Sequence, residues 1–218
     1  MSRRLSTVLV ALRHRLRCRI RGHAGFAGVA ATVAALLLVP SALAVGVRVR
    51  VEGKTQTIFG STEPTLSVKS NVLDALEAAS IAGEFYYHVK STSFGRYVDQ
   101  IGRYVATGSS GWAFKVNGVA PPVGADAVTL KPGDHVLWYW ATFGPKGGPE
   151  TLVLKRTKRD CYRVLAQDDE GALRVARGAI LHVGRRAVRA GSGSACIGRH
   201  NGLVRATLKG AVRSNALR

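Results

Sequence analysis

The sequence predicts an α+β domain with one main helix, followed by a small all-β domain, both behind an N-terminal targeting segment. Three observations carry that reading. Valines alternate with other residues at positions 45–51. Residues 71–80 have helical spacing. Residues 151–218 hold several short β-type runs, separated by Gly-rich turns and without a strong helical pattern.

The chain opens with seven arginines and no acid in residues 1–44. An apolar run at 26–39 follows, then Pro40, Ser41 and Ala42-Leu43-Ala44, a small-x-small pattern that a signal peptidase accepts. A signal peptide of residues 1–44, cleaved after Ala44, is expected. The rival is an uncleaved anchor, since the 24 residues from 24 to 47 are uncharged and suffice for a bilayer core of about 30 Å. Either way the protein is expected outside the cytoplasm, secreted or in the cell envelope, with membrane contact only through this segment if it is retained.

Beyond it, Val45, Val47, Val49 and Val51 alternate with Gly46, Arg48, Arg50 and Glu52, the period-2 signature of a strand buried on one face. Gly53-Lys54 turns the chain, and residues 55–59 return. In the helix, Val72, Leu76 and Ala79 share a face; Ser70 or Asn71 can cap its N-terminus, with Asp74 at capping-box spacing from Asn71, and Gly83 is the expected stop. Strands are expected at 85–89, 97–101 and 112–116. The last runs into Asn117-Gly118, a strong hairpin signal because both residues tolerate positive φ. A short strand ends at Leu130, residues 131–134 turn, and 136–141 (VLWYWA) form an apolar, aromatic strand.

Residues 145–150 read as a linker between a first domain at 45–144 and a second at 151–218. In the second, strands are expected at 151–154, 161–166, 179–183 and 203–208, giving a small β-sandwich. Charge separates the two regions. Of 32 Lys+Arg and 13 Asp+Glu in the chain, residues 45–144 carry 9 and 8, whereas 145–218 carry 16 and 5. A surface of net +11 attracts polyanions, and for an exported protein an anionic envelope polymer is the expected partner rather than nucleic acid.

Cys161 and Cys196 form an even pair in the exported chain, and a disulfide is expected. No further ligands cluster near them at metal-site spacing. The histidines at 88, 135, 182 and 200 are dispersed, and no Gly-x-Ser-x-Gly elbow, phosphate loop or dinucleotide fingerprint is present. The expectation is therefore a non-enzymatic protein with no catalytic residues, metal or cofactor.

Several of these features occur together in one known family. The Val-rich strand with Glu52-Gly53 is followed by Asn71 to Leu76, then Gly111-Trp112 and Val116-Asn117-Gly118. Val123-Gly124-Ala125 and Leu130 to Asp134 come next, before the aromatic strand. In this combination residues 45–141 resemble the transcobalamin C-terminal-like domain, a β-grasp module of the soluble-ligand-binding type. The resemblance implies a β-grasp fold, a bacterial secreted or surface protein, and ligand contacts near the hairpin at 117–118. It also makes a cobalamin-type ligand one to test. In the vitamin B12 carriers a helical domain completes the site, and no counterpart of it is read in this sequence. Residues 179–215 are more weakly similar to Ig-like or transthyretin-like β modules, through Gly178-Ala179, Val183-Gly184 and residues 202–206.

The expected ligand surface combines this hairpin with the aromatic residues. Trp112, Phe114 and Tyr139 supply rings, and Val119, Pro121, Pro122 and Val123 supply an apolar loop. Trp138 and Trp140 share a strand face and are expected in the core against Val72 and Leu76, leaving Tyr139 on the open face. Such a surface suits a ring-containing small molecule or a surface component. The alternative is a structural or adhesive envelope protein that binds anionic polymers through its basic C-terminal domain.

Overall fold

The computed structural model of the protein describes residues 44–93, 95–145 and 147–218. Residues 1–43 of the expected targeting segment, with its apolar run, lie outside the described residues. Among those described, no helix is long and apolar enough to cross a membrane.

Residues 42–218 form one compact unit, built as two lobes with separate buried clusters. The first lobe holds β1 (Val45–Glu52), β2 (Thr57–Phe59), β3 (Thr65–Val68), α1 (Val72–Gly83), β4 (Tyr87–Thr92), β5 (Gly95–Ile101), β6 (Tyr104–Val105), β7 (Ser110–Val116) and β8 (His135–Thr142). The second holds β9 (Thr151–Lys158), β10 (Cys161–Gln167), β11 (Leu173–Val175), β12 (Ala179–Val183), β13 (Arg186–Ala190), β14 (Ser194–Cys196) and β15 (Val204–Thr207).

In the first lobe β1 lies parallel to β8, and β7 flanks β8 antiparallel. β2 and β3 share the other edge of β1. β4, β5 and β6 form a separate three-stranded sheet. The odd-numbered valines Val47, Val49 and Val51 are fully buried with α1 residues Val72, Leu76 and Ala79. The α1 N-terminus carries the expected capping box: Asp74 N–H donates to Asn71 Oδ1 at 2.9 Å, and Asn71 N–H donates to the Asp74 carboxylate at 3.1 Å. Gly83 ends the helix inside its last turn, and Glu84 takes the left-handed cap at φ 50°.

The Asn117-Gly118 turn forms, with φ of 52° and 88°, and Val116 and Val119 exchange backbone hydrogen bonds across it. No strand returns from it. Pro121 and Pro122 lack the N–H donors a ladder requires, so the chain loops on until β8, which pairs with β7 instead. Leu130 is buried in that loop rather than in a strand.

In the second lobe β9 lies on one edge of β10, and β11 and β14 share the other. β13, β12 and β15 form the second sheet. One cluster, including Leu152, Tyr162, Val164, Leu181 and Val204, joins the two sheets. Cys161 and Cys196 are direct partners in the β10–β14 register and are joined by a disulfide.

This architecture corrects the expected fold class. The described residues contain fifteen strands in several sheets and one twelve-residue helix, an all-β arrangement. It is not a β-grasp domain with a main helix followed by a separate Ig-like or transthyretin-like sandwich. α1 covers only one face of the five-stranded sheet, and the second lobe packs on the other. Strands of two to four residues, such as β3, β6, β11 and β14, are too short to leave a period-2 signal in the sequence.

Candidate functional site

Alternation along β1 places Arg48, Arg50 and Glu52 on the sheet face opposite α1. Lys115 on β7 and Leu137, Tyr139 and Ala141 on β8 share that face through the β7–β8 register. The second lobe covers it. Arg50, Glu52 and Lys115 are therefore 4%, 0% and 0% exposed, and each finds partners, because an unpaired buried charge is costly.

Glu52 receives Arg213 Nε at 3.1 Å, Arg205 Nη2 at 2.5 Å and the Thr57 hydroxyl at 3.1 Å. Arg50 Nη1 donates to the Arg213 carbonyl at 3.0 Å, and its Nε lies 3.2 Å from Glu63. Burial lowers the Arg50 pKa from its ordinary value, while Glu52 and Glu63 oppose the shift. Lys115 Nζ donates to the carbonyls of Asp168 (2.6 Å) and Gln167 (3.2 Å), with the Asp169 carboxylate at 3.2 Å. Tyr139 O–H reaches Asp169 at 3.5 Å. Burial, then the Asp169 charge and hydrogen bond, push the tyrosine pKa up.

Beside this network a cleft of about 470 Å³ opens between the lobes. Arg48, Arg50, Lys115 and His135 line it from the first lobe, and Val153 and Lys155 from the second. Among the described residues Glu63 is the only carboxylate in its lining, and it already faces Arg50 and His135, the latter at 3.5 Å. The side chains of Arg48 and Lys155 have no hydrogen bond or ion pair among the described residues and are exposed. Unspent positive charge in a concave, partly apolar lining is suited to an anion.

The residues expected to form a ligand surface are not brought onto one face. Trp112 is 5% exposed, and its Nε1 donates to the Tyr104 carbonyl at 3.0 Å. Its ring meets Trp140 edge-on at 5.7 Å, and Phe114 lies 5.1 Å from Trp138. All four rings are on the α1 side. Tyr139 pairs with Ala113 and points the opposite way, under the second lobe, where it is 1% exposed. Residue alternation gave the two-sidedness of β8, but only the tertiary packing shows that its second face is closed. In the loop, Val119 and Val123 are 44% and 52% exposed, Pro122 is exposed and Pro121 half-buried. Ala120 N–H ties this loop to the Asp169 carbonyl at 2.8 Å.

The cleft residues Arg48, Arg50, Lys115, His135 and Lys155 were not singled out from the sequence. A signal existed in β1, where charges alternate with valines in a central strand, but its meaning depended on what covered the second face.

Away from the cleft, His88 Nδ1 lies 2.6 Å from Asp99 Oδ1, and Lys90 Nζ lies 2.9 Å from Asp99 Oδ2. Among the described residues no group of three or more His, Cys, Asp or Glu is placed to hold a metal.

Residues 69–142, running from just before α1 to the end of β8, match the family model described as a domain of unknown function, DUF4430. No curated protein matches the chain.

Proposed function

We propose that the protein is an exported, non-enzymatic binding protein of the cell envelope, and that the cleft between its lobes receives an anionic ligand. The observation that carries this reading is the cleft lining, in which the exposed Arg48 and Lys155 have no counter-ion among the described residues, whereas Arg50 and Lys115 are already paired with Glu63 and Asp169. The volume lies in the range of small-ligand sites, and apolar Leu137 and Val153 lie among the charged groups of the lining. Export is supported by the Arg-rich and apolar N-terminal sequence and by the Cys161–Cys196 disulfide. The resemblance of residues 45–141 to transcobalamin C-terminal-like modules supports soluble-ligand binding as the class of activity.

Calorimetric titration with inorganic pyrophosphate tests the cleft. The wild-type protein binds it in a salt-sensitive manner, and the double variant Arg48→Ala/Lys155→Ala weakens binding at least about tenfold, since hydrogen bonds to charged groups contribute about 1.5–3 kcal/mol each. Absence of binding at millimolar pyrophosphate, or equal binding by the double variant, overturns the reading. An absorbance titration with cobalamin, run in parallel, tests the corrinoid ligand that the resemblance implies.

A further inference from the structure

The outer face of the β9–β10–β11 sheet continues the cleft and has a chemistry of its own. Tyr162, Val164 and Ala166 point into the core of the second lobe, so Arg163, Leu165 and Gln167 point outward. Direct cross-strand partners share a face. Leu165 is opposite Val153 on β9 and Val175 on β11, forming one apolar row across three strands. Leu173, opposite Gln167, extends it. Leu173 and Val175 are 46% and 40% exposed, in register with two more apolar side chains.

Cations border this strip. Lys155 and Arg163 are direct partners, and Lys158 is opposite Cys161 on the neighbouring row. All three are exposed, and none makes a side-chain hydrogen bond or ion pair among the described residues. Val153, Lys155 and Leu173 also line the cleft, so the strip and the cleft are continuous.

We propose that this face docks on an anionic phospholipid bilayer, with a headgroup phosphate in the cleft near Arg48, His135 and Lys155, and with Leu173 and Val175 at the acyl boundary. The proposal rests on the reading of the cleft as an anion site. A hydrated polyanion offers nothing to an apolar row, whereas a lipid surface presents phosphate and hydrocarbon side by side. The face is open and sheet-like; a lipid extracted from the bilayer would leave its chain in water there, so a membrane surface fits better than a carried lipid.

The test is vesicle flotation with residues 42–218. This unit contains both buried clusters, and it omits the leading apolar segment that would enter lipid by itself. Vesicles of phosphatidylglycerol and phosphatidylcholine in equal parts bind the protein, and pure phosphatidylcholine vesicles do not. Leu173→Ser/Val175→Ser lowers vesicle affinity at least about tenfold, through lost burial of apolar area, and the single variant Val175→Ser, at a residue outside the cleft lining, lowers it in the same direction while its pyrophosphate binding stays at the wild-type level. An unchanged melting temperature verifies that this exposed pair is not needed for folding, and the single variant Val175→Ser serves if the double variant melts early. Three results overturn the proposal. The serine variants float as the wild type does; mixed vesicles fail to bind while pyrophosphate still does; or vesicle binding is fully competed by soluble polyphosphate with no contribution from the strip, which assigns the surface to polyanions. Loss of pyrophosphate binding in the wild type would instead sink the reading of the cleft beneath it.

Discussion

Glu52 and Arg205 meet across 153 residues of sequence, with Arg205 Nη2 2.5 Å from a carboxylate that has no solvent exposure. Arg213 holds the second oxygen at 3.1 Å, so two arginines from the end of the chain clamp one carboxylate on its first strand. The contact fixes the second lobe against the five-stranded sheet and so sets the walls of the cleft. Glu52→Ala leaves Arg50, Arg205 and Arg213 without their shared counter-ion. The expected cost is about 3–5 kcal/mol, read as a lower midpoint in urea unfolding. Glu150→Ala, which breaks the exposed pair with Arg174, is the control and costs under about 1 kcal/mol.

The disulfide closes a separation of 35 residues between β10 and β14. On the chain-entropy model its loss destabilises by about 3–4 kcal/mol. Reduction of the wild-type protein and the variant Cys161→Ser/Cys196→Ser are expected to lower the melting temperature by similar amounts. If reduction leaves the melting curve where it was, the bond does not contribute.

Trp112 and Tyr139 are structural residues in this arrangement, on opposite faces of one sheet. Trp112→Ala empties a site packed between Tyr104 and Trp140 and is expected to cost about 3–5 kcal/mol. Tyr139→Phe keeps the ring and removes only the long hydrogen bond to Asp169, for a loss of about 1 kcal/mol or less. Pyrophosphate affinity of the phenylalanine variant stays at the wild-type value. A selective loss of binding with full stability would restore Tyr139 as a ligand contact.

Asp99 supplies a pH dependence. Partial burial pushes its pKa up, but hydrogen bonds from Lys90 and His88 and their charges outweigh this and hold it below the ordinary carboxylate value. A depressed folded-state pKa means that the stabilisation is fully present above the unfolded value of about 3.9 and is lost as pH falls through the folded one. Asp99→Asn is expected to flatten that part of the stability profile on the acid side and to leave the slope elsewhere unchanged. Urea midpoints collected from about pH 2 to pH 5 check it, and an identical acid slope in the variant would contradict the assignment.

Tyr87 gives a readout on α1. Its hydroxyl hydrogen-bonds Glu77, and burial followed by this contact raises its pKa to about 12. Glu77→Gln is expected to bring the phenol back towards its ordinary value of about 10, seen by ultraviolet titration.

Local features were legible in the sequence because their signals are local. The valine alternation gave β1, the Asn71–Asp74 spacing gave the capping box, and Asn117-Gly118 gave a turn with both φ values positive. The even cysteine pair gave the disulfide. The likeness that pointed to a β-grasp domain drew on these same local features and carried the wrong global arrangement with them.

Which residues alternate, cap and turn depends on neighbours within a few positions, and so could be read from the chain alone. Tertiary structure alone decided that the second face of the five-stranded sheet is covered. That covering buries Tyr139, pairs Glu52 with Arg205 and Arg213, and gathers Arg48, His135 and Lys155 around one cleft. The reason is physical. A strand with polar alternate positions can meet water or a complementary lobe, and the choice depends on counter-charges more than a hundred residues away.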